Sequence, residues 1–501
     1  MSSKNNSNNK KATDNKNNKK TTKRHFAFNR LISLILLILS FITLFNIFKN
    51  GYFSLFYDAI IFVISLFVLF IFIRWLNSRK LRGFFKFILC LLSLIIIILE
   101  IIFLNYGNRT ILFLQSLKDD GTRVTTYGIY VLSDSNYESM SDLSNKTIDY
   151  MEDESVYKAL DNIKDEISIT SDKVSDIDDL LNNLFKSKCD SILLNTSYEP
   201  IIQETNSSDF SKLKKIKEIS VRKKISVINS DTDLSKVPFA VYISGEDSNG
   251  NISSNSRSDV NIILAVNPID HKIGIVSTPR DSYVKLHMNN KYDKLTHAGI
   301  YGAEESMNTL KDLYGINIDY YVKVNFTSFI DVIDTIGGVD VNVEKDFCES
   351  DQYRSVKKKD QICLSAGEQT LNGKQALAYA RNRHTFTTGD IARGNHQMEI
   401  IEAMIKKMSN PSMITRYNKI LSELNGNMLT NISYNSLSKL ALKELGADSN
   451  WDIQSFSPDK NAESDSRKCY STGNNNVYVL ILDDNSVSEI SSSLKEILNI
   501  Q

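Results

Sequence analysis

Three long apolar runs near the start of the chain dominate its hydrophobic pattern. They lie at about Phe28–Phe48, Phe53–Ile73 and Phe84–Leu104. Each has roughly the 20 residues that a helix needs to cross the hydrocarbon core of a membrane, at about 1.5 Å of rise per residue. No small-residue cleavage site follows the first run. The pattern therefore predicts three transmembrane helices within 28–105 and not a cleaved signal peptide.

The later apolar runs are shorter and alternate between strand and helix patterns. In residues 119–235 the pattern predicts strands at Thr126–Leu132 and Cys189–Leu194, and helices at Ser155–Ile167 and Val174–Lys186. This alternation predicts a small α/β accessory domain.

Residues 237–501 form a second predicted α/β domain, with a central mixed sheet flanked by helices. The predicted helices are Met307–Leu313 and Phe326–Ile336, and the predicted strands are Phe239–Ser244, Val260–Val266, Lys272–Ser277, Asp319–Val324 and Val339–Val343. A further apolar stripe has the i, i+3, i+4, i+7 spacing of a helix that buries one face in a core. Its members are Ile401, Met404, Ile405 and Met408.

Charge separates the two ends of the chain although the totals cancel, with 59 Lys and Arg against 59 Asp and Glu. Residues 1–86 carry 15 basic and 2 acidic groups, a net of +13, so the rest carries −13. By the positive-inside rule, the N-terminus and the turn after the second run face the cytoplasm. Three crossings then place everything after about Asn105 outside the cell. We expect residues 1–27 to be a disordered basic tail that contacts anionic membrane lipid and not nucleic acid.

Four of the five cysteines fall in the predicted extracellular part, where disulfides are permitted. Cys348 and Cys363 bracket a charged segment and are the favoured pair; four free, half-buried thiols are the alternative. No CxxC pair and no Cys/His spacing indicates zinc.

Arginines and aspartates cluster at the ends of predicted strands, in Arg257/Asp259, Arg280/Asp281, Arg381/Arg383 and Asp390/Arg393/Gln397. A single such pair is commonly a surface ion pair. Five gathered arginines suit a pyrophosphate, because guanidinium donors match phosphate oxygens in pairs. Asp247 and Asp259 are placed to supply the one or two carboxylates that Mg²⁺ takes together with phosphates. The set is typical of phosphoryl transfer.

Six segments resemble the LytR–CpsA–Psr family, over about residues 237–410. They are Phe239–Asp247, Arg257–Asp259, Thr278–Ser282, Lys294–Gly299, Val339–Val343 and Ala380–Gln397. The resemblance implies a membrane-anchored extracellular phosphotransferase. Such an enzyme moves a wall glycopolymer, such as teichoic acid or capsular polysaccharide, from a polyprenyl-pyrophosphate carrier to peptidoglycan. It also implies a sheet with helices on both sides, a hydrophobic groove for the polyprenyl chain, and room for an accessory domain before the catalytic one.

Carried over by position, the resemblance assigns Mg²⁺ to Asp247 and Asp259. It assigns the pyrophosphate to the arginines Arg257, Arg280, Arg381, Arg383 and Arg393. Asp390 and Gln397 correspond to polar residues beside these arginines, and Lys294 to a lysine near the head group. We expect Asp259, or else Asp390, to accept the proton of the attacking hydroxyl.

The sequence departs from the family pattern at His396, where many members have arginine. A histidine there weakens one phosphate contact or makes it depend on pH. We expect His297, which lies in the Lys294–Gly299 segment, to be structural. The alternatives to transfer are a polyprenyl-phosphate sensor or transcriptional attenuator, and a pyrophosphatase. In every case the sequence predicts a multi-pass protein of the cell membrane.

Overall fold

The computed structural model describes residues 28–46, 55–78, 81–116, 121–153, 155–224, 232–246, 255–350, 361–387, 389–410, 416, 419–420, 428–433, 436–437, 439–440, 443, 451–459 and 461–500. The chain forms two compact units, Met1–Leu112 and Phe113–Gln501. The predicted tail at 1–27 and the predicted metal ligand Asp247 lie outside the described residues.

The described residues of the first unit form three helices: α1 (Phe28–Asn46), α2 (Leu55–Leu76) and α3, which begins at Gly83 and continues to Ser116. Two of them, not the predicted three, contain an apolar stretch long enough to cross a membrane: Phe28–Asn46 and Gly83–Asn105. In α2 the apolar stretch among the described residues is only Phe62–Leu76.

A small lobe, residues 121–224, opens the second unit with a five-stranded sheet in the order β3-β2-β4-β1-β5. Its elements are β1 (Thr122–Leu132), β2 (Lys146–Met151), α4 (Val156–Glu166), β3 (Ile169–Val174), α5 (Ile177–Phe185), β4 (Ser191–Asn195), α6 (Glu199–Thr205), α7 (Ser207–Phe210) and β5 (Leu213–Lys224). Strand β5 was not predicted, because only Ile219 and Val221 of its side chains are buried among many lysines.

A large lobe follows, residues 232–500. Its elements are β6 (Phe239–Glu246), β7 (Val260–Asn267), β8 (Lys272–Ser277), β9 (Tyr283–Lys285), β10 (Tyr292–Lys294), α8 (Leu295–Ala298), α9 (Ala303–Tyr314), β11 (Tyr320–Asn325), α10 (Phe326–Ile336), β12 (Val339–Val343), β13 (Phe347–Glu349), β14 (Ile362–Leu364), β15 (Gly367–Leu371), α11 (Gly373–Arg381), α12 (Asp390–Met408), β16 (Met428–Thr430), β17 (Asp452–Phe456), β18 (Glu463–Lys468), β19 (Asn476–Ile481) and α13 (Asp484–Ile497). The main sheet has the order β16-β11-β6-β7-β8-β17. Its pairs β11–β6 and β8–β17 are parallel and the others antiparallel, which confirms the predicted mixed sheet.

Helices cover both faces of this sheet. On one face Tyr242 and Ile263 pack with Leu310 of α9 and Leu494 of α13. On the other face the sheet packs against Met398 of α12. Strands with one such cluster on each face bury both sets of alternating side chains, as a two-sided α/β sheet requires.

A third apolar cluster joins α10, α11 and α12 to the antiparallel pair β12–β15 through Ile333, Tyr379 and Ile400. Helix α10 starts directly after β11, because the Asn325 side chain accepts a hydrogen bond from the backbone N–H of Ser328 at 3.0 Å. The three helices therefore stand over the β6–β7–β11 part of the sheet.

The predicted disulfide is present between Cys348 and Cys363, which are opposite residues of β13 and β14. Cys189 and Cys469 are buried free thiols. Burial raises the pKa of both thiols to about 12, so neither is a nucleophile near neutral pH.

Candidate functional site

A cavity of about 660 Å³ lies between the sheet and helices α10, α11 and α12. Most of its apolar lining comes from β6, β7 and β11 on one side and from the three helices on the other, and Ile420, along with Met428 of β16, completes it. The residues of this apolar lining are Ile243, Val260, Ile262, Val322, Val324, Phe326, Phe329, Val332, Leu377, Ala380, Ile400, Ile401, Met404, Ile405, Met408, Ile420 and Met428.

The apolar stripe of α12 lines this cavity. The sequence predicted the helix correctly: Ile401, Met404 and Ile405 pack against the apolar clusters, and together with Met408 they also line the cavity. Periodicity identifies the apolar face of a helix without telling whether that face meets side chains or an enclosed space.

The other end of the cavity, which we call its mouth, is polar. Five arginines line it together with Asp259 and Gln397: Arg257, Arg280, Arg381, Arg383 and Arg393. Arg393 and Met408 are both lining residues of α12, and their positions along the helix are about 22 Å apart. The cavity is therefore long, with guanidinium groups at one end and methionines toward the other.

Strand ends and helix ends bring these side chains together. Asp259 precedes β7, Arg280 follows β8, Arg381 ends α11, and Arg393 lies in the first turn of α12. The glycine after Arg393 allows the close approach of α12 to β8, since a Cβ on Gly394 would lie 2.8 Å from Ser277 Oγ.

Carboxylates hold the arginines of the mouth. Arg280 Nη1 lies 2.5 Å from Asp259 Oδ1, and Arg393 forms an ion pair with Asp390. Asp390 Oδ2 also accepts a hydrogen bond from the backbone N–H of Arg280 at 3.1 Å. Paired guanidiniums are pre-arranged, which reduces the entropy lost when they bind an anion.

Two predicted site residues lie behind the lining. Lys294 is buried with Nζ 3.0 Å from Asp281 Oδ1, and Asp390 faces Arg393. Burial alone would raise the pKa of Asp281, but the charges of Arg280 and Lys294 outweigh it and lower that pKa. Burial raises the pKa of Asp390, even with Arg393 beside it. Asp390 thus supports Arg393 from within the protein, and Lys294 holds Asp281, whose charge acts on Arg280.

Two of the three histidines in the family segments, His297 and His396, are buried. His297 Nδ1 lies 2.7 Å from Asp293 Oδ1, in a structural pair as expected. His396 stacks on Tyr379, with ring centroids 4.1 Å apart, and is not part of the lining. Burial lowers the pKa of His396 to about 4. The expectation of a pH-dependent phosphate contact through this imidazole is therefore wrong, since the ring faces the core and stays neutral at neutral pH.

Sequence reasoning missed other polar residues of the mouth. Glu204 belongs to the small lobe, and Glu349 and Ser350 belong to the disulfide-bonded hairpin. The ring of Phe326 lies under Arg381, with the guanidinium carbon 5.5 Å from its centroid. Only the disulfide prediction pointed to the hairpin, and no local signal marks Glu204.

The described residues fit a divalent cation only in part. No group of three or more His, Cys, Asp or Glu side chains is close enough to hold a metal ion within the described ranges. Asp259 is suitable as one ligand, because its carboxylate lines the mouth among guanidinium groups that suit phosphate oxygens. One or two carboxylates with phosphate oxygens are the usual set for Mg²⁺.

An apolar cavity with an arginine-lined mouth suits an amphiphile with an anionic head group. The sequence profile of the LytR_cpsA_psr family matches residues 202–496. The chain belongs to this family.

Proteins of known name are similar to this chain in sequence. The polyisoprenyl-teichoic acid–peptidoglycan teichoic acid transferase TagU of Bacillus subtilis is 32% identical over 288 residues, which cover 57% of this chain and 82% of TagU. TagU of Bacillus licheniformis is 32% identical over 265 residues, covering 52% and 78% of the two chains. Among solved structures, B. subtilis TagV is 30% identical with a TM-score of 0.45, over 53% of this chain and 99% of the solved TagV chain.

Proposed function

We propose that this protein transfers an anionic wall glycopolymer, such as teichoic acid, from a polyprenyl-pyrophosphate carrier to peptidoglycan. The observation that carries the proposal is the continuous cavity, apolar along α12 and lined with arginines at its mouth. The proposed substrate has the matching arrangement, because its apolar polyprenyl chain is joined to an anionic pyrophosphate. The TagU relatives are named for transfer of polyisoprenyl-linked teichoic acid to peptidoglycan.

In the proposed reaction, Arg257, Arg280, Arg381, Arg383 and Arg393 bind the pyrophosphate oxygens. A sugar hydroxyl of peptidoglycan attacks the phosphorus next to the polymer, and a new O–P bond forms. The bond from that phosphorus to the bridging oxygen breaks, and polyprenyl monophosphate leaves with the bond's electrons. Asp259 accepts the hydroxyl proton, because it lines the mouth whereas Asp390 lies behind it.

We propose Asp259, together with Asp247, as the residues that hold Mg²⁺. When bound there, the cation would add positive charge beside the phosphate oxygens. The support is the chemistry of the donors, since a hard cation takes carboxylates and phosphates together. Lys294 and Gln397 are proposed as supports of the head group: Lys294 pairs with Asp281, and Gln397 Nε2 donates to the carbonyl of Ala380 at 3.2 Å.

We further propose that the N-terminus faces the cytoplasm and that both lobes face the outside of the cell. Support comes from the 15 basic against 2 acidic residues up to residue 86. The reaction needs this side of the membrane, because peptidoglycan lies there.

The deciding experiment incubates the full-length protein in detergent with polyprenyl-pyrophosphate-linked polymer, peptidoglycan fragments and Mg²⁺. Polymer covalently linked to peptidoglycan supports transfer. Free phosphorylated polymer without linkage would show a pyrophosphatase, in which water replaces the sugar. Lipid that binds but stays intact would show a sensor, and either of these two results contradicts the proposed function.

A further inference from the structure

The mouth of the cavity contains a carboxylate that comes from the small lobe. Glu204 of α6 lines the cavity, and its Oε2 lies 2.8 Å from Nη1 of Arg257. The charge of Glu204 also acts on Arg280. A carboxylate beside Arg257 competes with an anionic head group for that guanidinium, because both are anions.

The interface between the two lobes fixes the place of Glu204. Ser197, just before α6, donates a hydrogen bond to the carbonyl of Asn255 at 3.0 Å. The hydroxyl groups of Tyr198 and Tyr301 lie 2.7 Å apart. Both contacts join the segment that carries Glu204 to residues of the large lobe, so the carboxylate is not presented by a loose loop.

Packing also connects the core of the small lobe to the backbone at Arg257. Ile300 of the large lobe is fully buried in the apolar cluster of the small lobe. The preceding residue, Gly299, packs on the backbone after Arg257, where a Cβ would lie 2.7 Å from the N of Ser258. The small lobe therefore sets both members of the Glu204–Arg257 pair.

A guanidinium presents the same donors to a carboxylate as to a phosphate. We propose that Glu204 is an affinity-determining residue, whose carboxylate occupies Arg257 until an anionic lipid head group displaces it. This inference rests on the proposed function, since it assumes that the head group binds at the mouth. In this arrangement the small lobe weakens the hold of the mouth on substrate and on the polyprenyl monophosphate product alike, which favours product release.

The size of the effect follows from partial exposure. The Glu204 side chain is 52% exposed and that of Arg257 is 23% exposed, so solvent screens their interaction. We expect removal of the Glu204 charge to tighten binding of a phosphate at the mouth by roughly three- to tenfold at low salt. The gain should shrink as ionic strength rises.

The test measures binding of polyprenyl monophosphate to the full-length protein in detergent, for wild type, Glu204→Gln and the control Glu218→Gln. Glu218 is a small-lobe carboxylate that is 54% exposed and pairs with Lys215. Glu218→Gln removes the same charge from a side chain of matched exposure, and Glu218 is not part of the lining. We expect tighter binding for Glu204→Gln and wild-type binding for Glu218→Gln.

The same substitution in an Arg257→Ala background distinguishes action through Arg257 from a general charge effect. There, Glu204→Gln should change the affinity by less than about twofold if the two residues act as a pair. Unchanged or weaker binding by Glu204→Gln alone, or a full effect without Arg257, overturns this inference only. A wild-type protein that does not bind the lipid overturns the proposed function, and this inference with it.

Discussion

Arg381 shows how one residue connects the two halves of the site. It is the last residue of α11, its guanidinium lies over the Phe326 ring at 5.5 Å, and it lines the mouth. The aromatic ring supports the guanidinium through a cation–π contact. We propose that this contact positions Arg381 to bind a phosphate group.

We predict that Arg381→Ala lowers kcat/KM for polymer transfer by roughly 10²–10³, as expected for loss of one donor to the reacting phosphate. The melting temperature should change little. Arg381→Lys should recover part of the activity, because a lysine keeps the charge but not the two-pronged donor. Arg467→Ala is the control, since Arg467 is exposed on β18 and pairs with Asp465. Normal transfer by Arg381→Ala would remove Arg381 from the site.

His396 makes stability depend on pH. Burial holds its pKa at about 4 in the folded protein, against about 6.5 when unfolded. The folded state therefore excludes a proton that the unfolded state takes up. The stabilisation is complete above about pH 6.5 and is lost progressively as pH falls toward about 4, by up to about 3 kcal/mol.

Substitution of this histidine tests the linkage. We predict that His396→Phe, which keeps a ring against Tyr379, removes this part of the pH dependence. Denaturant unfolding of both proteins at pH 7 and pH 4 measures it, as the difference between their free energies of unfolding. Parallel losses of stability in the two proteins would mean that His396 is not the titrating group.

Among the elements, α12 has the most functions. Its first turn holds Arg393 and Asp390, Met398 packs against the sheet, and its later turns line the cavity. A 19-residue helix is rigid over this distance, so it fixes the separation between the mouth and the apolar end.

We predict that Met404→Trp blocks the apolar part of the cavity and weakens binding of polyprenyl phosphate by at least roughly 15-fold. Loss of burial for two methylene groups of the lipid is sufficient, at about 0.8 kcal/mol each. Lys406→Trp places the same side chain on the exposed side of α12 and should leave binding unchanged. Equal affinities for the two variants would mean that the lipid does not enter along α12.

At the scale of the whole molecule, the side of the membrane on which the lobes lie decides whether peptidoglycan is reachable. The two ends of the chain lie on opposite sides only if the number of crossings is odd. Among the described helices, α1 and α3 have the length and apolarity required to cross. Whether α2 also crosses therefore decides between an even and an odd number of crossings.

We predict that, in intact protoplasts, added protease removes a C-terminal epitope tag and leaves an N-terminal tag intact. The charge asymmetry is the physical reason, since basic segments stay on the cytoplasmic side. A lysed sample, in which both tags are digested, is the control. Loss or protection of both tags in intact protoplasts would show an even number of crossings and contradict the proposed orientation.

Much of the fold could be predicted from the sequence. The first and last residues of β7, β8, α10 and β12 could be predicted to within one residue from apolar runs and glycines, because these are local properties of neighbouring residues. The residues of the arginine-rich site were identified from chemistry and from the family pattern, and the structure brings seven of them to one cavity mouth.

Only the tertiary structure decided the surroundings of each of these side chains. The stripe of α12 lines a cavity, His396 lies in the core, Asp390 faces Arg393 behind the lining, and Glu204 reaches the mouth from another lobe. Composition and spacing determine which side of an element is apolar or charged. Contacts between residues far apart in the chain determine whether that side meets solvent, a core, a cavity or an opposite charge.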